Sequence, residues 1–438
     1  MGFGWLFLAS TLVFASPRPE AIEQAPLVRA SDILEWVETQ SSSPVRSVEA
    51  LMEKLPRAYR SYFVLQYESH SNHQADPLHP RIIFFGPDAK LLVGISGLVS
   101  DPFYNTIEMI EYEPQSASFS FYSIHFDSQG QKTQVERNPK DCQRCHGPDP
   151  KPNWESYNLW PGTYGSVHDQ ILAGTEEHEW FQKFVATYPS SSRYRFLPSP
   201  FFIEAQDSFG SRHFYLSHQG VGPGSSLSIL LNFLNRDRMA KRLLFSPKHL
   251  KYRPAFVAAL IGCPQPITEF LSSDLKDQHP IDYSKTLTET RDLMIKDFNR
   301  KLKVLVRHLG IPQSKIAQQA DPFGMRPEEQ ERVAKLRFLL TQRNSRIDFD
   351  RWPLSISKTS LDFNDGVSGL ENLIGHYLPL AYSEEEPLRR LIRIQENPFS
   401  FTSLDSQTKY TIKTFSLSSE IEPACELLLS EARGQSLR

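Results

Sequence analysis

The feature that most constrains the fold is a change to a hydrophobic period of two between residues 81 and 126. The runs "RIIFF" and "KLLVGIS" flank a turn signal at 86–89, and "NTIEMIEYE" and "SFSFYSIHF" flank another at 114–116. Strict alternation on both sides of turn residues is typical of a β-hairpin. The sequence therefore predicts two hairpins within a small antiparallel sheet, which spans about residues 60 to 137.

Helical periods surround this region. The stretch from Ser47 to about Tyr59 is helical in pattern and is broken by Pro56, and residues 176–188 again favour a helix. From Ser225 onward helical signals dominate to the end of the chain, most clearly at 225–245 and 293–310. The pattern indicates an α+β protein, with a sheet first and a mainly α-helical C-terminal region.

Between the sheet and the second helix lies the segment "NPKDCQRCHGPDPKPNW", with Cys142 and Cys145 three apart and His146 directly after them. A zinc site would take only two of its four ligands here, and no second C-x-x-C exists. A redox dithiol needs a helix start, and the prolines at 148, 150 and 152 leave only a short one. Covalent haem attachment uses all three residues, because two thiols bind the porphyrin vinyl groups and the next histidine binds the iron.

The segment "CQRCHG" resembles the haem-attachment segment of c-type cytochromes. That resemblance implies one covalent haem c on Cys142 and Cys145, with His146 as the proximal iron ligand. It covers this short segment and not the whole chain of 438 residues. The following "PNWESYNLWPG" resembles exported proteins of Gram-negative bacteria that combine C-x-x-C-H-G with a W-x-x-Y-x-x-W-P-G run.

The aromatic run after the motif has two interpretations. Trp154, Tyr157 and Trp160 recur every three residues, and Tyr164 follows them. Flat rings of this kind suit the walls of a haem pocket, and Trp N–H and Tyr O–H groups suit the haem propionates. Ordinary packing against the sheet explains the same spacing.

The sequence does not identify a distal iron ligand. Downstream of the motif, Met239 is the first methionine, and the nearest histidines are at 168, 178, 213 and 218. A further polar cluster comprises His70, His73, Asp76 and His79. Its side chains suit zinc or copper, one of them could cap the haem iron from the sheet, or the segment is a polar loop.

The first sixteen residues, "MGFGWLFLASTLVFAS", carry no charged side chain and end in small residues before Pro17. An apolar run of this length is typical of a secretory signal peptide, although no Lys or Arg precedes it. We therefore expect export to the periplasm of a Gram-negative bacterium, with no stable membrane span in the mature chain. In that compartment Cys263 and Cys425 either pair as a disulfide or remain two separate buried thiols.

These observations divide the chain into a signal peptide (1–16), a helix-plus-sheet domain (17–137), a haem-attachment and aromatic segment (138–224) and a helical region (225–438). The chain has 48 basic and 51 acidic residues, a balance that argues against nucleic acid as a partner.

The first hypothesis is an exported carrier of one haem c that transfers electrons to or from a redox partner protein. Because a second C-x-x-C-H is absent from the sequence, a carrier is favoured over a catalyst, and no catalytic residue is assigned. Two alternatives remain at this stage. One is a haem enzyme or ligand sensor with an open distal site, and the other is a non-haem module with a Cys142–Cys145 disulfide.

Overall fold

The structure is a computed structural model of the 438-residue chain, and only part of the chain is described below. The described residues are 27–38, 45–68, 71–127, 132–146, 152, 162–165, 170–187, 193–198, 202–206, 210–216, 223–246, 249–276, 331, 334–335, 377–378, 380–382, 388, 392–402, 409–417 and 421–434. The predicted signal peptide and the predicted helix at 293–310 lie outside them.

The fold is α+β, with an antiparallel six-stranded sheet in the N-terminal part and helices later in the chain. Each strand pairs with the next one along the chain, so the spatial order is the sequence order. Both predicted hairpins form, by pairing of the second strand with the third and of the fourth with the fifth. The strands are β1 (Phe63–Gln66), β2 (Arg81–Phe84), β3 (Leu91–Ile95), β4 (Thr106–Glu113), β5 (Ser118–Phe126) and β6 (Thr133–Arg137).

One face of this sheet, here called the inner face, carries a continuous apolar core that includes Phe84, Val93, Met109 and Ile124. Three helices contribute to the same core: α1 (Ala30–Glu38), α2 (Val48–Lys54) and α5 (Glu176–Thr187). The Ser47 hydroxyl caps α2 by accepting a hydrogen bond from the N–H of Ala50 (3.1 Å). Pro56 separates α2 from the short helix α3 (Arg57–Arg60), as the sequence predicts.

The opposite face, here called the motif face, carries a second core that includes Ile83, Leu92 and Phe121. Helix α6 (Pro223–Leu244) packs on it through Leu227, Leu230, Leu231 and Leu234. The Tyr112 hydroxyl also donates to Asp237 of α6 (2.7 Å). The motif face is therefore covered at one end by α6. The C-x-x-C-H segment packs against the same core through Cys142.

A small three-stranded sheet that the sequence did not predict is formed by the part of the chain that follows the motif and precedes α6. It comprises β7 (Gln170–Ile171), β8 (Ile203–Gln206) and β9 (Arg212–Tyr215), in the order β7-β9-β8. Its residues Ile171 and Phe214 join α5 in the inner-face core. This part of the chain extends the inner-face core.

The C-terminal part forms a separate apolar cluster, here called the disulfide cluster. It includes α7 (His249–Ile261) and α9 (Ile421–Ala432), and α8 (Ser273–Lys276) contributes Leu275. Cys263 and Cys425 are joined by a disulfide inside this cluster, with their Cα atoms 5.7 Å apart. Of the two arrangements open to these cysteines, the structure contains the disulfide.

A hairpin interrupts the region in which the sequence predicts mainly helices. Strand β10 (Ile392–Thr402) pairs antiparallel with β11 (Lys409–Leu417), and the register shifts between Gln395 and Phe399. No helix within the described ranges is long and apolar enough to cross a bilayer.

Candidate functional site

A two-way hydrogen bond between Asn138 and Phe121 fixes the chain just before the motif. The N–H of Asn138 donates to the carbonyl of Phe121 (2.7 Å), and the Asn138 side-chain oxygen accepts from the N–H of Phe121 (2.9 Å). Asn138 has φ +49°, a left-handed conformation that asparagine tolerates better than most residues. The turn out of β6 therefore starts at a defined point on the middle of β5.

The motif itself lies on a seven-residue helix, α4 (Lys140–His146). The carbonyl of Pro139 accepts the first hydrogen bond of this turn, from the N–H of Cys142 (3.1 Å). Because residues three and four apart share one side of a helix, positions 142, 145 and 146 lie on the same side of α4. The Cys145 side chain is outside the described part of the structure, so the alternative of a Cys142–Cys145 disulfide stays a prediction.

Both described side chains of the motif contact the motif face. Cys142 is half-buried and packs against the apolar core that Phe121 and Leu92 belong to. The imidazole of His146 lies against the Phe121 ring, with the ring centroids 4.7 Å apart and the planes at 55°. The turn at Asn138 and the helix α4 thus bring the imidazole back to the residue that anchors the turn.

Beyond α6 the motif face changes from apolar to polar in successive rows of residues across the sheet. The strand register places Phe121, Ile110 and Leu92 in one row and Ser123, Glu108 and Gly94 in the next. A third row contains His125 and Thr106. Two of the three residues of the middle row, Ser123 and Gly94, are small.

Arg81 crosses the middle row and is held there by Glu108. Its guanidinium donates to a Glu108 carboxylate oxygen (2.8 Å) and to the Ser71 hydroxyl (2.9 Å). A Cβ atom at Gly94 would collide with this guanidinium, so the glycine is what lets Arg81 lie flat across the sheet. Burial lowers the pKa of Arg81, and the nearby Glu108, Asp101 and Cys142 oppose that shift. The Arg81–Glu108 pair thus occupies the middle row of the motif face.

His73, one of the four residues of the predicted polar cluster, is buried between two carboxylates. Its Nδ1 is 3.2 Å from an Asp101 oxygen, and its Nε2 is 3.5 Å from a Glu108 oxygen. Burial raises the pKa of Asp101, but hydrogen bonds from His73, Ser96 and Phe103 outweigh it, and the net pKa is lowered. Both ring nitrogens of His73 thus face protein oxygens.

The rest of the polar cluster is arranged separately. His79 Nδ1 lies 3.1 Å from Asp76, and His70 is outside the described residues. Within the described ranges, no group of three or more His, Cys, Asp or Glu side chains has an arrangement that could hold a metal ion. A metal site formed by His70, His73, Asp76 and His79 together stays a prediction.

The aromatic run after the motif also falls outside the described residues, at Trp154, Tyr157 and Trp160. Tyr164, which follows it, packs in the inner-face core with its hydroxyl donating to the carbonyl of Pro77 (2.7 Å). Its ring lies 4.8 Å from Tyr67 and 5.0 Å from Phe181. Ordinary packing is therefore the role of Tyr164.

Two of the histidines downstream of the motif, His178 and His213, lie within the described residues. His178 is buried against Phe214 of the inner-face core, with ring centroids 5.1 Å apart, so the sheet separates it from His146. His213 accepts a hydrogen bond from the N–H of Ala173 at its Nδ1 (3.2 Å). His168 and His218 and the side chain of Met239 lie outside the described residues.

Comparison with protein-family models, with curated proteins and with solved structures finds no match to this chain. The chemistry of the site therefore has to be inferred from its own residues.

Those residues fit a covalently attached haem. The two cysteines and the histidine share one side of α4, and the described pair contacts a face that is apolar beside α6. The sequence identified the three motif residues but missed Asn138 and Phe121, which position them. The Asn-Pro pair is a turn signal that could have indicated the helix start, whereas no local pattern reveals the partner strand.

Proposed function

We propose that this chain is an exported protein that binds one haem c through Cys142 and Cys145, with His146 as the proximal iron ligand. We propose electron transfer with a periplasmic partner protein as its role. The observation that carries the proposal is the packing of the motif on the sheet. Cys142 packs in the apolar core of the motif face, and the His146 imidazole lies 4.7 Å from the Phe121 ring.

When bound, a haem of this type supplies a one-electron redox centre. The chain's own residues would hold that centre in a fixed setting. Phe121 restricts the His146 ring from one side, and the double hydrogen bond of Asn138 ties α4 to the same strand. The leucines of α6 exclude water from the adjoining end of the motif face. A rigid and partly dry setting favours electron transfer, because little reorganisation accompanies the change of charge.

The decisive experiment replaces both motif cysteines, as Cys142→Ser with Cys145→Ser, in a bacterial host that has cytochrome c maturation machinery. We expect the wild-type protein to carry one haem-sized mass adduct and a haem-stained band on a denaturing gel. The double variant should lose both signals, because no thiol remains to form a thioether bond.

The matched control removes the other two cysteines, as Cys263→Ala with Cys425→Ala, and should keep the haem-stained band. Wild-type protein that is correctly processed but colourless would contradict the proposal. If the peptide that contains Cys142 and Cys145 carries no haem and weighs two hydrogens less than its reduced form, the result would instead support the non-haem alternative with a Cys142–Cys145 disulfide.

A further inference from the structure

We propose that His125 is the second axial ligand of the haem iron, opposite His146; this inference rests on the proposed function. His125 precedes the motif in the chain and lies on the same strand, β5, as the residue that His146 contacts. The structure brings it to the motif face through strand register alone. In this arrangement the haem iron would be six-coordinate, with one imidazole from His146 and one from His125.

The period of the strand fixes where His125 lies. Side chains two residues apart point to the same face, so Phe121, Ser123 and His125 all lie on the motif face. At a rise of roughly 3.4 Å per residue, the backbone at His125 is about 14 Å from that at Phe121. Axial ligands reach the iron from opposite sides of the porphyrin. Because the His146 ring lies against Phe121, the two imidazoles are held at points four residues apart along β5.

The ring of His125 is already held through one nitrogen. Its Nδ1 is 3.0 Å from the hydroxyl of Thr106, the residue directly opposite on β4. Thr106 is itself buried, so the contact orients the ring, while the His125 residue remains exposed. A histidine that binds a metal commonly engages its other ring nitrogen in such a hydrogen bond, which here leaves Nε2 for the iron.

The surface between the two histidines has little side-chain bulk. Ser123 is the residue between Phe121 and His125 on this face, and it is only half-buried. Its neighbour Glu108 is held by Arg81 (2.8 Å) and lies 3.5 Å from His73, both away from β5. The strip of sheet between the two imidazoles therefore carries little side-chain bulk.

The other described histidines are engaged elsewhere. His73 is fully buried, with its Nδ1 bonded to Asp101 and its Nε2 3.5 Å from Glu108, and His178 lies on the opposite face of the sheet. The remaining three are each bound by another neighbour: His79 by Asp76, His213 by Ala173 and His249 by Tyr377. Among the described residues, His125 is the exposed histidine on the motif face that has a ring nitrogen directed by a buried partner.

The test compares wild-type holoprotein with His125→Ala, using optical and electron paramagnetic resonance spectra together with the haem-stained gel. We expect low-spin iron in the wild type that does not bind carbon monoxide when reduced. His125→Ala should keep the covalent haem but become high-spin and bind carbon monoxide, and added imidazole should restore the low-spin spectrum. His125→Met should remain six-coordinate with a higher reduction potential, because methionine ligation raises the potential.

The matched control is His79→Ala, which removes a half-buried histidine from the same domain and should leave the spectrum unchanged. High-spin iron in the wild type, or an unchanged low-spin spectrum in His125→Ala, would overturn the inference while leaving covalent haem attachment intact. Wild-type protein without covalent haem would overturn the proposed function, and the inference would fall with it. Because His125 is exposed, far-UV circular dichroism should show an unaltered fold in every variant.

Discussion

The six-stranded sheet and the disulfide cluster are built in opposite ways. In the sheet every strand pairs with its neighbour in the chain, so its hydrogen bonds close short loops. The disulfide cluster joins α7 to α9 through Cys263 and Cys425, which are 162 residues apart. Closing a loop of that length costs more chain entropy than closing a hairpin. The sheet can form from local pairing, whereas the cluster depends on a covalent link and long-range contacts.

Each region also contains an arginine that is withdrawn from solvent, buried at Arg193 and half-buried at Arg253. Arg193 in the sheet region donates to Glu49 (2.8 Å) and to the carbonyl of Ser96 (2.6 Å). Arg253 in the cluster donates to Glu431 (2.6 Å) and to the carbonyl of Ala381 (2.9 Å). In both cases the guanidinium donates to a carboxylate and to a carbonyl, which offsets the cost of removing its charge from water. The two regions differ in chain connectivity and not in the chemistry of their polar contacts.

Removal of the disulfide should have the largest effect and should separate the two regions. For Cys263→Ala with Cys425→Ala, the chain-entropy relation for a loop of 162 residues gives a loss of about 5 kcal/mol from the free energy of unfolding. Amide hydrogen exchange followed by mass spectrometry should show faster exchange in α7 and α9. Peptides from β2 to β5 should keep their protection.

A substitution in the sheet core should reverse that pattern. Phe84 is fully buried in the inner-face core, and Phe84→Ala should cost about 3–5 kcal/mol through lost packing and a cavity. Its peptides should then exchange faster than those of α7 and α9. If both variants speed up amide exchange equally in both regions, the sheet and the disulfide cluster unfold as one unit and are not independent in stability.

The same contrast explains what the sequence could predict. The hairpins, the Ser47 cap, the break at Pro56 and the C-x-x-C-H motif are each encoded within a few neighbouring residues. The β10–β11 hairpin was missed because Pro398 lies inside β10, where proline argues against a strand. The structure accommodates that proline where the register shifts between Gln395 and Phe399, an irregularity that sequence alone does not reveal.

At the candidate site the predictable part was again the local one. Cys142, Cys145 and His146 follow from their spacing, but the contact of His146 with Phe121 joins residues 25 positions apart in the sequence. The hydrogen bond of His125 to Thr106 likewise depends on the register of β4 against β5. Register is set by tertiary packing of both faces, so a reading of single segments could not supply it.

The pH dependence of stability should have opposite signs in the two regions. In the sheet region, burial raises the pKa of Glu177 to about 7 from 4.5, against the effect of a hydrogen bond from the N–H of Gly165. The folded protein thus holds this proton more tightly than the unfolded chain. Stability should fall as pH rises from 4.5 to 7, by up to about 3 kcal/mol, and stay level above. Glu177→Gln should remove this dependence in urea unfolding measured across that range.

His249 supplies the opposite case in the disulfide cluster. Burial, with Arg253 nearby, lowers its pKa to about 4 from 6.5, and its Nε2 is 2.7 Å from the Tyr377 hydroxyl. The unfolded chain therefore binds this proton more tightly, and stability should be lost as pH falls from 6.5 to 4. Because the residue is partly exposed, we expect about 1 kcal/mol. His249→Gln should flatten this slope, and slopes of equal sign in both regions would refute the assignment.

The most local effect concerns the link between the sheet and the motif helix. Asn138→Ala should cost about 2 kcal/mol, about 1 for the hydrogen bond from Phe121 and about 1 for the left-handed φ of +49°. Asn138→Asp keeps an acceptor oxygen and tolerates the same conformation, so it should change the free energy of unfolding by less than about 0.5 kcal/mol. Equal losses in urea unfolding would show that neither the oxygen nor the conformation matters. A larger loss in Asn138→Ala than in Asn138→Asp would mean that this single turn residue holds α4 against β5.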